Sequence, residues 1–303
     1  MKINNIDFVG NFKIFGTLSA IMVLGVVIMF FTKGLNYGVD FRGGAEIQVK
    51  FKQNITLTEL REELEKANIP VSQVQTIGDE SANEFLLKIQ STEADLNKVS
   101  NEVGMMLNEK LKDKSPEILK NDIVGPKAGA QLRLSGFQAM AWALLTISIY
   151  IALRFEFKFA PGAILALVHD CLIMVGAFLI TQKEFSLQIV AALLAIIGYS
   201  INDTVVIYDR VREIEENNPS LTLPQVINRA INETMSRTII TAGTTFIVSV
   251  VMFVMGGPVL RDFFFAMAIG IVAGTYSTIY IAVPMTIMFD RKNKASAAAK
   301  LAV

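Results

Sequence analysis

Six long apolar runs alternate with polar segments along this chain of 303 residues. A helix of about 20 residues crosses a hydrocarbon core of about 30 Å, and each run approaches or exceeds that length. The first run is longer than the apolar core of a signal peptide, so we expect it to remain as a permanent span. The predicted transmembrane helices are Ile14–Phe31, Gly136–Leu153, Phe159–Ile180, Phe185–Tyr208, Thr238–Met255 and Phe263–Phe289.

The long polar segment between the first two runs has alternating strand and helix patterns. A strand over Gly44–Phe51 precedes an amphipathic helix over Leu57–Ala67, for which Thr58 is a candidate N-cap. The order βαββαβ is that of ferredoxin-like α+β domains, and about 90 residues suffice for one core. The remaining predicted elements are strands Val71–Ile77 and Glu84–Ile89, helix Glu93–Leu111 and strand Glu117–Val124.

Lysine and arginine positions predict how the chain crosses the membrane. With the N-terminus inside, the inside segments contain twelve of these residues and the short outside loops contain two, Lys183 and Arg261. We therefore expect both termini in the cytoplasm and the ferredoxin-like domain in the periplasm. The predicted parts are residues 1–35 (N-terminus and first helix), 36–133 (periplasmic domain), 134–290 (helices two to six) and 291–303 (cytoplasmic tail).

Composition supports a membrane protein and excludes several classes of function. Hydrophobic residues make up 52% of the chain and charged residues 18%, against about 25% charged in average soluble chains. A single cysteine, Cys171, excludes a disulfide framework and a cysteine-rich metal site. The net charge of zero gives no indication of nucleic-acid binding. We expect a protein without enzymatic activity, cofactor or metal.

Two carboxylates lie inside predicted spans, where a charge at the centre costs about 2.5–3.5 kcal/mol to insert. Asp170 lies near the middle of the third span. Asp203 lies in the fourth span, roughly 10 Å from the charged end that begins at Asp209. Each therefore needs a charged partner, a water-filled cavity or a bound proton.

Arg237 begins the fifth span on the side of the membrane where the fourth span ends, and arginine can extend inward from an interface. A stripe of threonines follows it. A carboxylate, a guanidinium group and hydroxyls at one helix seam are the groups that an ion-coupled transporter needs. The candidate ion-coupling residues are Asp203, Arg237, Asn202, Thr204, Thr241 and Asp170.

These features also have structural interpretations, which the sequence leaves open. Asp203 can be a contact that fixes helix packing, Asp170 with His169 can be a satisfied hydrogen-bonded pair, and Arg237 can be an anchor at the membrane surface. The Gly270-x-x-x-Gly274 spacing indicates close helix packing. An intramembrane aspartyl protease is a weaker alternative, because neither aspartate lies in a Tyr-Asp or Gly-x-Gly-Asp motif.

Two stretches resemble the SecD/SecF family of bacterial protein-export membrane proteins, in particular its SecF members. They are Tyr37–Gly44, after the first span, and Gly198–Glu213, in the fourth span. Ser236–Thr238 and Val168–Asp170 also fit, and the resemblance covers nearly the whole chain. The residues of the family motifs are Asp40, Phe41, Arg42, Gly43, Gly44, Asp209 and Arg210.

This resemblance implies an accessory subunit of the Sec translocase, a member of the resistance-nodulation-division superfamily, in the bacterial inner membrane. It implies a SecD partner, the SecYEG channel, YajC as a further partner and preproteins as substrate. It also implies use of the proton or sodium motive force, with Asp203 and Arg237 taking part in ion conduction. The alternative is half of an ion-coupled transporter for lipids or small molecules, which would use the same ion relay.

Overall fold

Long helices and one four-stranded sheet make up the part of the chain that the computed structural model describes, residues 6–67, 69, 71–78, 82–90 and 96–290. The predicted tail, 291–303, lies outside these residues. In chain order the elements are α1 (Phe12–Thr32), α2 (Val39–Arg42), β1 (Gly44–Phe51), α3 (Leu57–Lys66), β2 (Val71–Thr76), β3 (Glu84–Gln90), α4 (Leu96–Lys110), β4 (Pro116–Val124), α5 (Pro126–Arg154), α6 (Ala160–Thr181), α7 (Leu187–Asn217), α8 (Leu223–Met255) and α9 (Gly257–Ser277).

Six helical segments in the described residues are long and apolar enough to span a membrane, which confirms the predicted number. The predicted helix ends are less accurate, because apolar runs mark only the lipid-facing part of each helix. Helix α5 begins at Pro126 and passes through residue 133, where we place the domain boundary, so that boundary stays a prediction. Helix α8 begins at Leu223, after Thr222, whose backbone N–H donates to Gln225 Oε1 at 2.9 Å.

The four strands form one antiparallel sheet in the order β2-β3-β1-β4, the arrangement of a ferredoxin-like domain, as predicted. Alternate residues of β1 face one side of the sheet, where α3 and α4 cover them. The side chains that are at most 2% exposed in this core include Ala45, Ile47, Val49, Phe51, Leu60, Leu64, Phe85, Leu87, Ile89, Val103 and Leu107. The domain therefore has a hydrophobic core of its own.

The predicted N-cap of α3 was wrong by two residues. Thr56 has an extended backbone and its hydroxyl accepts a hydrogen bond from the Glu59 backbone N–H at 3.2 Å, so Thr56 is the cap. Thr58 lies one residue inside the helix. Both threonines suit a helix start by type, and the backbone conformation of the preceding turn decides between them. The predicted start of the second domain helix, Glu93, lies outside the described residues.

Glycines allow α9 to approach α7 closely, as the Gly270-x-x-x-Gly274 spacing predicted. A Cβ atom added at Gly270 would lie 2.5 Å from Ile196 Cγ1, and one at Gly274 would lie 3.0 Å from Ser200 Oγ. A side chain at Gly270 would force a neighbouring atom to shift, and one at Gly274 would require Ser200 to move by a few tenths of an ångström. This close approach brings the polar residues of α7 against α9.

We predict that residues 36–127 form a soluble fragment with a cooperative thermal transition, because its core is a cluster separate from those of the helical bundle. Leu107→Ala should lower its free energy of unfolding by about 2–5 kcal/mol, since Leu107 is fully buried. Glu109→Ala, two residues on and exposed, should change it by less than about 0.5 kcal/mol. Denaturant unfolding followed by circular dichroism measures both. A fragment without a transition would contradict an independent domain.

Candidate ion-coupling site

Asp203 lies near the middle of α7 with its side chain only 4% exposed. Ser200, Thr204 and Ile207 lie on the same buried face of this helix. Among the residues that the structure describes, Asp203 has neither a hydrogen bond nor an ion pair within 4.0 Å. An unpaired carboxylate at this depth needs water, a nearby positive charge, or a bound cation or proton.

Arg237 is on α8, the helix next to α7, and its positive charge acts on the Asp203 carboxylate without direct contact. Its side chain is exposed in the isolated chain, whereas Thr238 beside it is 3% exposed. The structure thus brings the predicted aspartate and arginine to one seam.

The other predicted members of the site have different surroundings. Thr204 is 1% exposed, and its hydroxyl lies 2.9 Å from Thr278 Oγ1. It therefore links α7 to the last span, Val259–Asp290, which includes most of α9 and continues beyond it. Asn202 is exposed on the opposite side of α7. Thr241 donates to the backbone oxygens of Arg237 at 3.0 Å and Thr238 at 3.2 Å, within its own helix.

The threonine stripe of α8 contains no hydroxyl-to-hydroxyl chain among the described residues. Like Thr241, Thr244 and Thr245 donate to carbonyl oxygens three or four residues earlier in α8, at 2.8–3.0 Å. Such bonds are common for threonine within helices. Their oxygens keep free acceptor sites, so the stripe can accept hydrogen bonds from water but does not form a continuous relay.

Asp170 has the hydrogen-bonded environment that Asp203 lacks. Its side chain is fully buried, and its Oδ2 accepts from Ser200 Oγ at 2.6 Å. Its Oδ1 lies 3.4 Å from His169 Nδ1. Ser200 is one turn before Asp203 on α7, so Asp170 connects α6 to the helix that carries the second carboxylate.

A further set of polar contacts extends from His169 to α1. The imidazole ring stacks on Tyr276, with 5.9 Å between the ring centroids. The Tyr276 hydroxyl donates to the Phe15 carbonyl oxygen at 2.7 Å. The same tyrosine hydroxyl accepts from Ser19 Oγ at 2.8 Å. Ser200 and Tyr276 were not among the site residues predicted from the sequence. Only Ser200 could have been predicted, because it lies three residues before Asp203 on the same helix face.

The last span contains a π-helical turn over Thr278–Ala282. Pro284 follows it and cannot donate a backbone hydrogen bond, which favours a local opening of the helix. Through this turn Thr278 contacts Thr204, and the Ala282 carbonyl oxygen accepts from the Tyr208 hydroxyl at 3.1 Å. Single π-turns within α-helices occur frequently at functional sites. Here the turn packs against the face of α7 that carries Asp203.

The first family motif joins the domain to the start of α7. Asp40 Oδ2 accepts from the Leu187 backbone N–H at 3.0 Å, and so caps the N-terminus of α7. The backbone of Gly38 donates to the Phe185 carbonyl oxygen at 3.1 Å. At Gly43, φ is +88°, and an added Cβ would lie 2.8 Å from Pro126 Cα. Only glycine fits this strand-entry bend between α2 and β1.

An ion pair reinforces this junction. Lys88 of β3 contacts Glu184, in the α6–α7 connection, at 2.8 Å, and Glu46 of β1 at 3.4 Å. Burial lowers the pKa of Lys88, but the charges and hydrogen bonds of Glu184 and Glu46 outweigh it and raise the pKa overall. The lysine therefore stays charged at neutral pH, and the domain is bonded electrostatically to the helical bundle.

The second family motif ends in residues that join neighbouring helices. Arg210 donates through Nε to Glu233 of α8 at 2.6 Å. Asp209 lies 3.5 Å from Arg154 at the end of α5. These partly exposed pairs support a structural role for Asp209 and Arg210.

Two family models and several known proteins are similar to this chain. Residues 105–292 match a family described as protein export membrane protein SecD/SecF, C-terminal, and residues 28–55 match the SecD/SecF GG motif. The chain is 40% identical to protein translocase subunit SecF of Calditerrivibrio nitroreducens, over 92% of each chain. It is 38% identical to that of Rhodothermus marinus, over 98% of this chain and 97% of the relative.

Solved structures of longer proteins have the same fold. The crystal structure of SecDF from Thermus thermophilus, described as a translocon-associated membrane protein, matches with a TM-score of 0.79 and 32% identity. The match covers 94% of this chain but 39% of the SecDF chain. A second SecDF structure, in a super-membrane-facing form, matches with a TM-score of 0.74 and 33% identity, over 97% of this chain and 40% of the other.

We predict that Ser200→Ala destabilises the protein by about 1–3 kcal/mol, because buried Asp170 loses its hydrogen-bond donor. Ser249→Ala is a matched control. Ser249 is equally buried, at 2% exposed, but donates only to the Thr245 carbonyl oxygen of its own helix. Thermal or SDS-induced unfolding of the purified protein compares the two. Equal effects would contradict a special role for the bond to Asp170.

Proposed function

The chain belongs to the SecD/SecF family of protein-export membrane proteins and is a multi-pass accessory subunit of protein translocation; we propose that it drives this task with an ion gradient. The observation that carries the proposal is Asp203, a buried carboxylate without a contacting partner among the described residues. Relatives named as translocase subunits favour export over transport of lipids or small molecules.

Asp203 is the proposed ion-binding group. A carboxylate within an apolar bundle exists either as an anion with a nearby positive charge or as a neutral group with a bound H⁺ or Na⁺. Arg237 supplies the positive charge from α8 without contact. Binding of the ion cancels the attraction between the two residues, and its release restores it.

The membrane potential supplies enough energy for such a change. Moving one elementary charge across it is worth about 2.3 kcal/mol per 100 mV. This is comparable to the coupling free energies of about 1–3 kcal/mol that switch proteins between states. The α7–α8 seam is the proposed two-state element, because it contains the charges and no direct ion pair between them among the described residues.

Helix α7 is the proposed connection to the ferredoxin-like domain. Its N-terminus is about 24 Å from Asp203 along the helix axis and is capped by Asp40. The α6–α7 connection just before it is bonded to β3 through Glu184 and Lys88. A shift of α7 at Asp203 therefore reaches the domain through two contacts. A domain that holds an emerging preprotein in one position and releases it in the other would favour outward movement.

We propose a SecD-type chain as the main partner, since the matched SecDF chains are more than twice as long as the region they share with this one. The SecYEG channel and YajC are the further proposed partners. The lysine and arginine distribution supports cytoplasmic termini and a periplasmic domain in the inner membrane.

We predict that Asp203→Asn abolishes gradient-stimulated export while ATP-driven export persists. Asparagine keeps the size and hydrogen-bonding capacity of the side chain but cannot bind a proton or carry a charge. Asp203→Glu should retain part of the gradient-stimulated export. Arg237→Lys keeps the positive charge but should still lose much of this stimulation, because lysine lacks the planar guanidinium. The measurement is translocation of a model preprotein in inverted vesicles, with Na⁺ varied at fixed pH.

Glu216→Gln is the control, since it removes one negative charge from an exposed position of the same helix. It should leave gradient-stimulated export unchanged, with each variant quantified in the same membranes. Wild-type rates for Asp203→Asn at wild-type protein levels would show that the carboxylate only fixes packing.

A second prediction concerns Asp40. Asp40→Ala removes the cap of α7 and should cost about 0.5–2 kcal/mol of local stability, so hydrogen exchange in the first turn of α7 should become faster. Gradient-stimulated export should fall, and Asp40→Asn should restore most of it because asparagine also caps helices. Asp113→Ala, at an exposed domain position, is the control. Faster exchange with unchanged export would contradict the connection through α7.

A further inference from the structure

An apolar groove of about 610 Å³ opens between α1, α6 and the last span. One face of α1 lines it from Phe12 to Val23, and α6 contributes Leu165, Val168, His169 and Leu172 at helical spacing. The π-helical turn and the residues after it complete the wall, together with Pro224 of α8. Neither Asp203 nor Arg237 lines the groove, although His169 contacts Asp170.

One charged group marks the mouth of the groove. Lys13, which lines the groove near the start of α1, has no ion pair within 4.0 Å in the described part of the chain. His169 also lines the groove, but its Nε2 is enclosed by the protein and is not accessible from the groove. A free cation at the mouth of an apolar groove attracts an anionic head group.

The length of the groove corresponds to one leaflet. Lys13 and Val23 are ten residues apart, which is about 15 Å along α1 and half of the roughly 30 Å hydrocarbon core. The groove therefore has the length that one acyl chain of a lipid in that leaflet occupies.

We propose that this groove binds an anionic phospholipid from the leaflet on the side of the α1 N-terminus. The phosphate lies against Lys13, and one acyl chain follows the apolar walls toward Val23. With the N-terminus inside, as proposed above, this is the cytoplasmic leaflet, but the binding itself does not depend on ion coupling.

Two glycines of α1 provide a matched test. A Cβ added at Gly16 would meet no atom within 4 Å, because Gly16 faces the groove. A Cβ added at Gly25 also meets no atom within 4 Å, but Gly25 does not line the groove. Each position thus has room for a Cβ atom without contact. Only leucine at position 16 fills the space proposed for the acyl chain.

The experiment uses the purified full chain in vesicles that contain spin-labelled phosphatidylglycerol or phosphatidylcholine, and electron paramagnetic resonance measures the immobilised lipid. We expect Gly16→Leu to lower binding of both lipids about tenfold. Lys13→Gln should reduce the preference for phosphatidylglycerol about fivefold while the acyl chain still binds. Gly25→Leu should behave as wild type.

Ala20→Leu, a second groove-filling variant, keeps the test decisive if Gly16→Leu fails to fold. Equal immobilisation in wild type and in the folded groove-filling variant would overturn the proposal, since the lipid would then be merely annular. Equal losses from Gly25→Leu would do the same. A wild-type chain with no preference for the anionic lipid would refute the role of Lys13. Loss of lipid binding with normal gradient-stimulated export would agree with both proposals, because neither Asp203 nor Arg237 lines the groove.

Discussion

Burial of two carboxylates in an apolar bundle is the constraint around which the helices are arranged. Asp170 satisfies it locally, through the hydroxyl of Ser200 and the neighbouring imidazole. Asp203 does not, because only the more distant charge of Arg237 acts on it. The two residues thus represent opposite solutions to the same solvation problem. The first links α6 to α7, and the second is the group that we propose as the ion-binding carboxylate.

Helix α7 links the surroundings of both carboxylates to the rest of the molecule. It carries Ser200 and Asp203 one turn apart, and it contacts the π-helical turn through Thr204. At its start it receives the side chain of Asp40, and at its far end Arg210 bonds to α8. Helix α7 is restrained towards both ends and carries the unpaired carboxylate of Asp203 near its middle. A small change at Asp203 can be transmitted along the helix, because helices are stiff on this scale.

The sequence predicted the larger elements well and the fine contacts poorly, for physical reasons. Apolar runs revealed all six spans, and the alternation over β1 matched the strand from Gly44 to Phe51. Helix ends were missed where polar helical turns extend beyond the lipid, as at Leu223. The N-cap was misplaced because both threonines suit a helix start.

In the candidate site, too, the sequence indicated the unusual residues but not the contacts that they make. Asp203 and Arg237 stood out because charges within apolar runs are rare. The partners of Asp170 did not, since a serine such as Ser200 is ordinary in a helix seam until the fold shows what it faces. The threonines of α8 looked like a relay by spacing, but spacing does not reveal that hydroxyls such as that of Thr245 are bonded to their own backbone.

The π-helical turn has a geometric consequence for the span that contains it. A π-turn accommodates one additional residue, so each residue after it is set back by about one α-helical step, about 100° of rotation and 1.5 Å of rise, relative to a continuous α-helix. The stripe that packs on α7 before Thr278 therefore does not continue along the same face after Ala282. Residues before and after the turn therefore point in different directions than they would in a continuous α-helix. One helix can thus form two interfaces: the contact with α7 on one side and the apolar groove on the other.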